Sequence, residues 1–305
     1  MQGSHEEISG SENQQKEGLV KKLLLQLDSD KHPSVFDTIT AYDAGADQVM
    51  ALGNVAAEDV RDLVYGAMFT RGGDALKNSA VFIGGSDVAT GEAMLKAATG
   101  AFFGPVRVSV MMDSNGCNTT AASAVAKVVG AADVRGKKAV VLAGTGPVGM
   151  RAAAFLAKEG CQAFLTSRHL ERARKASEQI KERFGVEVTP LAAGDEATTA
   201  QALEGATVVL TTGKEGVQLV SEAQWTAHPT LQVLADVNAV PPLGIEGIKP
   251  HWDGKEKDGK IIFGALGIGG LKMKVHRACV ARLFESNELV LDAEEIFAIA
   301  KEMGE

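Results

Sequence analysis

Residues 139–149 read AVVLAGTGPVG and lead into a helix-like run from Met150 to Glu159. The pattern is strand, glycine turn, helix, with Gly144, Gly146 and Gly149 at G-x-G-x-x-G spacing. In such a turn the first glycine permits the tight bend. The second lets a pyrophosphate approach the backbone, and the third lets helix and strand pack closely. Amide N–H groups at the helix start face the phosphates, where the helix dipole favours negative charge. Gly144, Thr145, Gly146, Pro147, Val148 and Gly149 are therefore the candidate phosphate-cradling residues. A nicotinamide-dependent oxidoreductase is the function class they point to.

The next strand of the unit reads CQAFLTS at 161–167 and ends in Ser167-Arg168-His169. A site selective for NAD ends this strand in Asp or Glu, which holds the ribose 2′-hydroxyl. Here no carboxylate follows until Glu171. Arg168 can neutralise a 2′-phosphate and stack on adenine, and Ser167 can hydrogen-bond the phosphate. The expected cofactor is NADP, with NAD as an accepted alternative. Arg172 and Arg174 read as solvated helix residues.

Working outward, apolar runs alternate with helical stretches. The runs are KLLLQLD (22–28), DQVMALG (47–53), AVFIGG (80–85), VRVSVMMD (106–113), AVVLAG (139–144), CQAFLTS (161–167), VEVTPL (186–191), TVVLTTG (207–213), QVLADVN (232–238) and KIIFGALG (260–267). Such runs, bounded by turn signals, suggest parallel strands buried on both faces. Four of them precede the glycine fingerprint, so the expected fold is α/β with two domains. An N-terminal α/β substrate domain (20–118) comes first, then a linking helix (119–134), then a Rossmann-type NADP-binding domain (135–270). Residues 271–305 are expected to pack back on the first domain, leaving a cleft between the two for substrate. Asn118 or Thr119 is the expected N-cap of the linking helix. Residues 1–19 read as a disordered tail or an expression remnant.

Composition narrows the class. The 305 residues suffice for two domains. The net charge of −8 is diffuse, and no basic block or aromatic ladder suggests nucleic acid. Cys117, Cys161 and Cys279 form no C-x-x-C pair and no metal motif, so no metal is expected and a reducing, cytoplasmic setting fits. No run is long enough to suggest a membrane span.

Further stretches carry a resemblance. They are PSVFD (33–37), YDAGAD (42–47), TRGG (70–73), DSNGCNTTAA (113–122), GKKAVVLAGTGPVGMR (136–151), PPLGI (241–245) and FGALGIGGLKMKVHRAC (263–279). With them the chain resembles the NADP-dependent methylene-tetrahydromethanopterin dehydrogenases of methylotrophic and related bacteria, over roughly residues 20–303. The resemblance implies oxidation of a methylene-tetrahydropterin to its methenyl form. It implies a two-domain fold related to methylene-tetrahydrofolate dehydrogenases, and a homo-oligomer, trimeric or hexameric. It leaves the carrier open between tetrahydromethanopterin and tetrahydrofolate. The polar N-terminal extension and the 250–260 loop depart from the family.

The chemistry fits an absence. An alcohol dehydrogenase needs a proton acceptor, and no convincing base stands out here. Oxidising an N–CH2–N bridge removes only a hydride, and the cation left behind is shared by two nitrogens. Positioning and electrostatics then suffice. Asp37 is the first candidate for a catalytic carboxylate, against its reading as a helix-terminal acid. Lys272 is the second, placed in a first helical turn after a tight loop at Gly267, Gly269 and Gly270. Gly267 and Gly269 are candidates to approach the cofactor. His276, four residues on, shares the face of Lys272 and is a candidate substrate contact, against a structural histidine. Asn115, Asn118 and Thr119 are candidates to line the cleft. Thr211, Thr212, Gly213 and Asn238, at strand ends, complete the expected cofactor site. Two other readings remain: a non-catalytic NADP-binding regulator, and a shikimate-dehydrogenase-like enzyme using Lys77 with Asp113.

Overall fold

The computed structural model describes residues 20–304, and the tail expected over 1–19 lies outside the described residues. In chain order the elements are β1 (Leu23–Leu27), α1 (Val35–Asp43), β2 (Gln48–Leu52), α2 (Val60–Phe69), β3 (Ser79–Ile83), α3 (Val88–Gly100), β4 (Ser109–Met112) and α4 (Cys117–Ala131). There follow β5 (Lys138–Leu142), α5 (Pro147–Lys158), β6 (Gln162–Ser167), α6 (Leu170–Phe184), β7 (Thr189–Ala192), α7 (Glu196–Leu203), β8 (Val208–Thr211), α8 (Glu222–Thr226) and β9 (Val233–Asp236). The chain closes with β10 (Asp253–Lys257), β11 (Lys260–Phe263), α9 (Ala265–Arg282), β12 (Val290–Leu291) and α10 (Ala293–Gly304). Each apolar run read from the sequence holds a strand.

The strands make two sheets in an α/β protein. The first runs β2-β1-β3-β4-β12 and is parallel throughout. The second runs β7-β6-β5-β8-β9-β11, also parallel, with β10 added antiparallel at the edge. That parallel order is the doubly wound dinucleotide-binding one, with its switch point between β5 and β8. The first sheet has its own switch point between β1 and β3. A switch point leaves a crevice at the carboxyl ends of two strands, since their following loops diverge.

One core joins the sheets. The small and branched side chains of α4 (Ala121, Ala122, Ala124, Val125, Val128) are buried among residues of both sheets and of α5, α9 and α10. A helix covered on every side needs small residues where backbones approach closely, and α4 supplies alanine there. Separate clusters cover the outer face of the first sheet and that of the second.

A polar knot fastens the same junction. Buried Arg151 of α5 meets Glu92 of α3 at 2.8 Å and donates to the Asn118 side-chain oxygen of α4. Asn118 donates in turn to Met112 O at 2.6 Å and Asp292 Oδ1 at 3.0 Å. Arg183 of α6 bridges Glu92 and Asp292.

Three expectations are corrected. The 250–260 segment is no loop but half of a hairpin, closed at Asp258-Gly259, both with positive φ. Its strand β10 reads DGKEK, without apolar alternation, because it is a charged edge that buries nothing. Helix α9 begins at Ala265, so Gly267, Gly269 and Gly270 are helical and Lys272 lies past the first turn. The helix tolerates glycine there because Gly267 packs directly on the Trp252 carbonyl, where a Cβ has no room. Finally, the N-cap position of α4 is Gly116, in the left-handed region, and neither Asn118 nor Thr119 caps it. Asp113, before the turn, receives both free amides: Asn118 N at 2.9 Å and Thr119 N at 3.0 Å.

Removing one member of a buried ionic knot leaves the others uncompensated. Arg151→Ala is expected to cost about 3 kcal/mol. The measurement is the denaturation midpoint at unchanged slope.

Candidate active site

The first crevice opens at the carboxyl ends of β1 and β3. Strand β1 passes directly to Asp28, whose buried carboxylate accepts from Asp30 N at 2.9 Å and Ser34 N at 3.0 Å. Those bonds shape the loop into α1. Ser34 caps that helix by accepting from Asp37 N at 3.2 Å. Buried Gln26 of β1 ties the same turn down, donating to Ser34 O and accepting from the Thr38 hydroxyl. Asp37 is thereby fixed in the first turn of α1, facing a cavity of about 360 Å³. The cavity is also bounded by Phe36, Gly85, Asn115, Gly116 and Lys272.

Electrostatics sets Asp37 apart. Burial raises its carboxyl from 3.8 to about 6. The nearby Asp113 and Asp28 push the same way, while Ser34 and Lys272 oppose. Lys272 reaches the cavity from α9, its ammonium 5.1 Å from the centre of the Phe36 ring. Lys272 therefore lines this cavity from the second turn of α9, not from a first turn after a loop. Asn115 sits beside it, exposed, with positive φ, anchored by its N–H to Gly85 O at 2.7 Å.

His276 lies behind this wall, one turn along α9 from Lys272, and only 1% exposed. Its ring stacks on Phe82 at 5.4 Å and meets the edge of Phe36 at 6.1 Å. Burial lowers it to about 4, so it is neutral near pH 7. Asn118 and Thr119 are likewise enclosed. The Asn118 amide is engaged in the knot, and the Thr119 hydroxyl donates to Asp113 Oδ2 at 2.6 Å. Neither side chain faces the cavity. Sequence reading passed over Asp28 and Phe36, although Asp28 ends the first apolar run, where a parallel strand presents ligand groups.

The second crevice is the glycine turn. Gly144 is hemmed by Val141 and Leu165, and a Cβ on Gly149 would lie 2.5 Å from the Gly144 backbone and from Thr212 Oγ1. By contrast, a Cβ on Gly146 would meet nothing within 4 Å. Two glycines are required by packing, and the third leaves open space before the first amides of α5. That is the division of labour a pyrophosphate needs. Thr145 bridges Gly144 and Gly146, and Pro147 opens α5. Thr211 donates to Asp236 Oδ1 at 2.8 Å, and Asn238 N donates to the same oxygen at 2.9 Å. Both residues hold the loop after β9 in shape, while Thr212 braces the glycine turn and Gly213 packs on Leu219. Gly269, on α9, has open space around it, and Gly267 does not.

Ser167 ends β6, and Arg168 follows it. Arg168 is exposed and lines a cavity of about 260 Å³ with Gly194, Thr199 and Leu219. Asp195, also on its wall, is engaged as the N-cap of α7 with Thr198.

The two crevices open at one edge. Arg151 near the start of α5 bonds Asn118 near the start of α4, so these helices lie side by side with their N-termini together. Val148, in the first turn of α5, packs on the outer core of the first sheet, which includes Cys117. Lys77 pairs with Asp74 at 2.7 Å and not with Asp113, so the proton-relay pair of a shikimate-type site does not form. Among the described residues no group of three or more His, Cys, Asp or Glu side chains is placed to hold a metal ion. Among them, too, no helix is long and apolar enough to cross a membrane.

Residues 35–115 match the family model described as "Methylene-tetrahydromethanopterin dehydrogenase, N-terminal". The chain is 53% identical over 286 residues to "Bifunctional protein MdtA" of Methylorubrum extorquens, covering 93% of this chain and 99% of that protein. It is 32% identical over 296 residues to the "NAD(P)-dependent methylenetetrahydromethanopterin dehydrogenase" of the same organism, covering 94% and 100%. Among solved structures, a shikimate 5-dehydrogenase from Mycobacterium fortuitum aligns over 91% of this chain and 97% of its own, at 18% identity and a TM-score of 0.49.

Two predictions arise here. Gly146→Val leaves thermal stability near that of the parent but weakens dinucleotide binding at least tenfold, whereas Gly149→Ala destabilises by about 1–3 kcal/mol. Calorimetric melting and dinucleotide titration separate the two. Asp37 binds its proton more tightly folded than unfolded, so its contribution to stability is present below about pH 4 and is lost as pH rises through 6. Asp37→Asn is therefore expected to be more stable than the parent at pH 8, by up to about 3 kcal/mol, with the difference shrinking as pH falls. Denaturant melts across pH give the comparison.

Proposed function

Because the chain belongs to the methylene-tetrahydromethanopterin dehydrogenase family, we propose that it oxidises methylene-tetrahydromethanopterin to the methenyl form with NADP as acceptor. The observation that carries this reading is the pair of strand-end crevices opening at one edge of α4 and α5. One has the open glycine of a pyrophosphate site, and the other has a carboxyl and an ammonium facing a cavity. When bound, the nicotinamide supplies the hydride-accepting carbon.

The chain's own residues do the rest by placement. Amide groups at the start of α5, beside Gly146, bind the diphosphate. Lys272 can donate to the carbonyl of the pterin ring, and Phe36 offers an apolar face beside it. Asp37 in its ionised form lowers the energy of the cation that grows as hydride leaves. Because the lost group is a hydride alone, no side chain need remove a proton from carbon. Holding two reactants in register can by itself contribute several kcal/mol to the barrier.

The preference for NADP over NAD is supported by Ser167 and Arg168 at the end of β6, with no carboxylate on that tip. The resemblance to an oligomeric family supports a homo-oligomer.

The deciding assay follows formation of reduced nicotinamide with methylene-tetrahydromethanopterin and, separately, with methylene-tetrahydrofolate, each with NADP and with NAD. Turnover with the methanopterin carrier, at a higher kcat/KM than with the folate carrier, is expected. Tight NADP binding without turnover of either carrier would convert the reading to that of a regulator. Arg168→Asp is expected to raise KM for NADP roughly tenfold or more while changing KM for NAD little. Equal changes for both would remove Arg168 from the 2′-phosphate.

A further inference from the structure

His276 has a feature that a packing role does not account for. Both ring nitrogens are buried without a hydrogen-bond partner. Each nonetheless points toward a carboxylate: Nε2 is 3.9 Å from Asp37 Oδ1, and Nδ1 is 3.8 Å from Asp113 Oδ2. A buried polar group left unpaired costs free energy, and an apolar residue of the same shape would avoid that cost. Around the ring stand Asp37 from α1, Asp113 after β4, Lys272 from the preceding turn of α9 and Cys279 from the following one, with Phe82 of β3 stacked on its face. Asp28 lies beyond Asp37. The two carboxylates differ. Asp113 already accepts from two amides and a hydroxyl at the start of α4. Asp37 faces the cavity.

We propose that His276 is a positioning residue that takes the proton of Asp37 during turnover, with its own Nδ1–H aimed at the Asp113 carboxylate. The inference rests on the dehydrogenase reading above. A neutral carrier entering the cavity desolvates Asp37 further and favours its protonated form. The O–H of that carboxyl points to the Nε2 lone pair. As hydride leaves the carrier and a cation forms, the Asp37 O–H bond breaks and an Nε2–H bond forms. No proton enters or leaves the protein. A neutral pair becomes an oriented ion pair whose negative end faces the cation, and the new imidazolium lies between two carboxylates. Separations just under 4 Å in the free protein fit a contact that tightens in the complex.

Long-range proton–nitrogen spectra of the 15N-histidine-labelled full chain test this, with His276 assigned by its through-space contacts to Phe82. The free protein is expected to show a neutral ring with the proton on Nδ1, unchanged from about pH 6 to 8. The complex with methenyl carrier is expected to show both nitrogens protonated, and the same complex of Asp37→Asn a ring still neutral. Kinetically, His276→Gln is expected to lower kcat about tenfold with KM for the carrier within about twofold. Its kcat should fall as pH drops through the titration of Asp37 in the complex, above the free-protein value of about 6, because Asp37 then keeps its proton, while the parent's holds. A proton on Nε2 in the free protein, a neutral ring in the parent's product complex, or parallel pH profiles would overturn the proposal. If no carrier is oxidised, the catalytic reading fails on its own, and the free-state tautomer still decides the arrangement of the ring.

Discussion

The carboxylate of Asp113 is the point on which the remaining geometry turns. It follows β4, precedes the turn into α4 and is enclosed, accepting from two main-chain amides and the Thr119 hydroxyl. A helix start buried in a protein interior must find acceptors for its free amides or lose the interior position. Here one side chain satisfies two of them. With its N-terminus fixed, α4 can lie between the sheets, and α5, α9 and α10 can be set against it. Asn115 and Gly116 are then held at the cavity rim, and His276 is held against Asp113 itself. The same group that starts the linking helix therefore also sets the field behind the candidate site.

The site has a recognisable division of labour. Backbone and small residues form the crevice that the proposed function assigns to the dinucleotide, where a phosphate would demand room and N–H donors more than side chains. Charge marks the cavity that the proposed function assigns to the carrier, where Asp37 and Lys272 line one space and burial raises the Asp37 carboxyl to about 6. This placement is costly to the fold. A carboxyl whose ionisation is opposed by burial is a stability liability, and under the proposed function a cation developing beside it would offset that cost.

The α/β fold with its two parallel sheets was legible in the residues. The parallel strands declared themselves as apolar runs, and the glycine fingerprint marked the strand–turn–helix unit of β5 and α5. Asp37 and Lys272 stood out as candidates because one follows a strand end and the other a glycine cluster, and both line one cavity. What escaped had physical causes. Strand β10 buries nothing, so it carries no periodic signal. The glycines of α9 look like a loop in sequence, yet they are helical because close packing against the Trp252 segment excludes any larger residue at Gly267. Asn118 looked like a cap or a ligand because asparagine serves as both. Its partners, Arg151 and Asp292, are 33 and 174 positions away, and no local pattern could pair them.

The alanine face of α4 has a bearing on how such a molecule can change over generations. Its side chains touch elements of both sheets, so any added methyl group there pushes on two halves of the protein at once. The interior seam is thus closed to gradual enlargement. Change has its freedom on the periphery, at the charged edge strand β10 and at the exposed Arg168 beyond β6, where substitutions do not disturb the chassis.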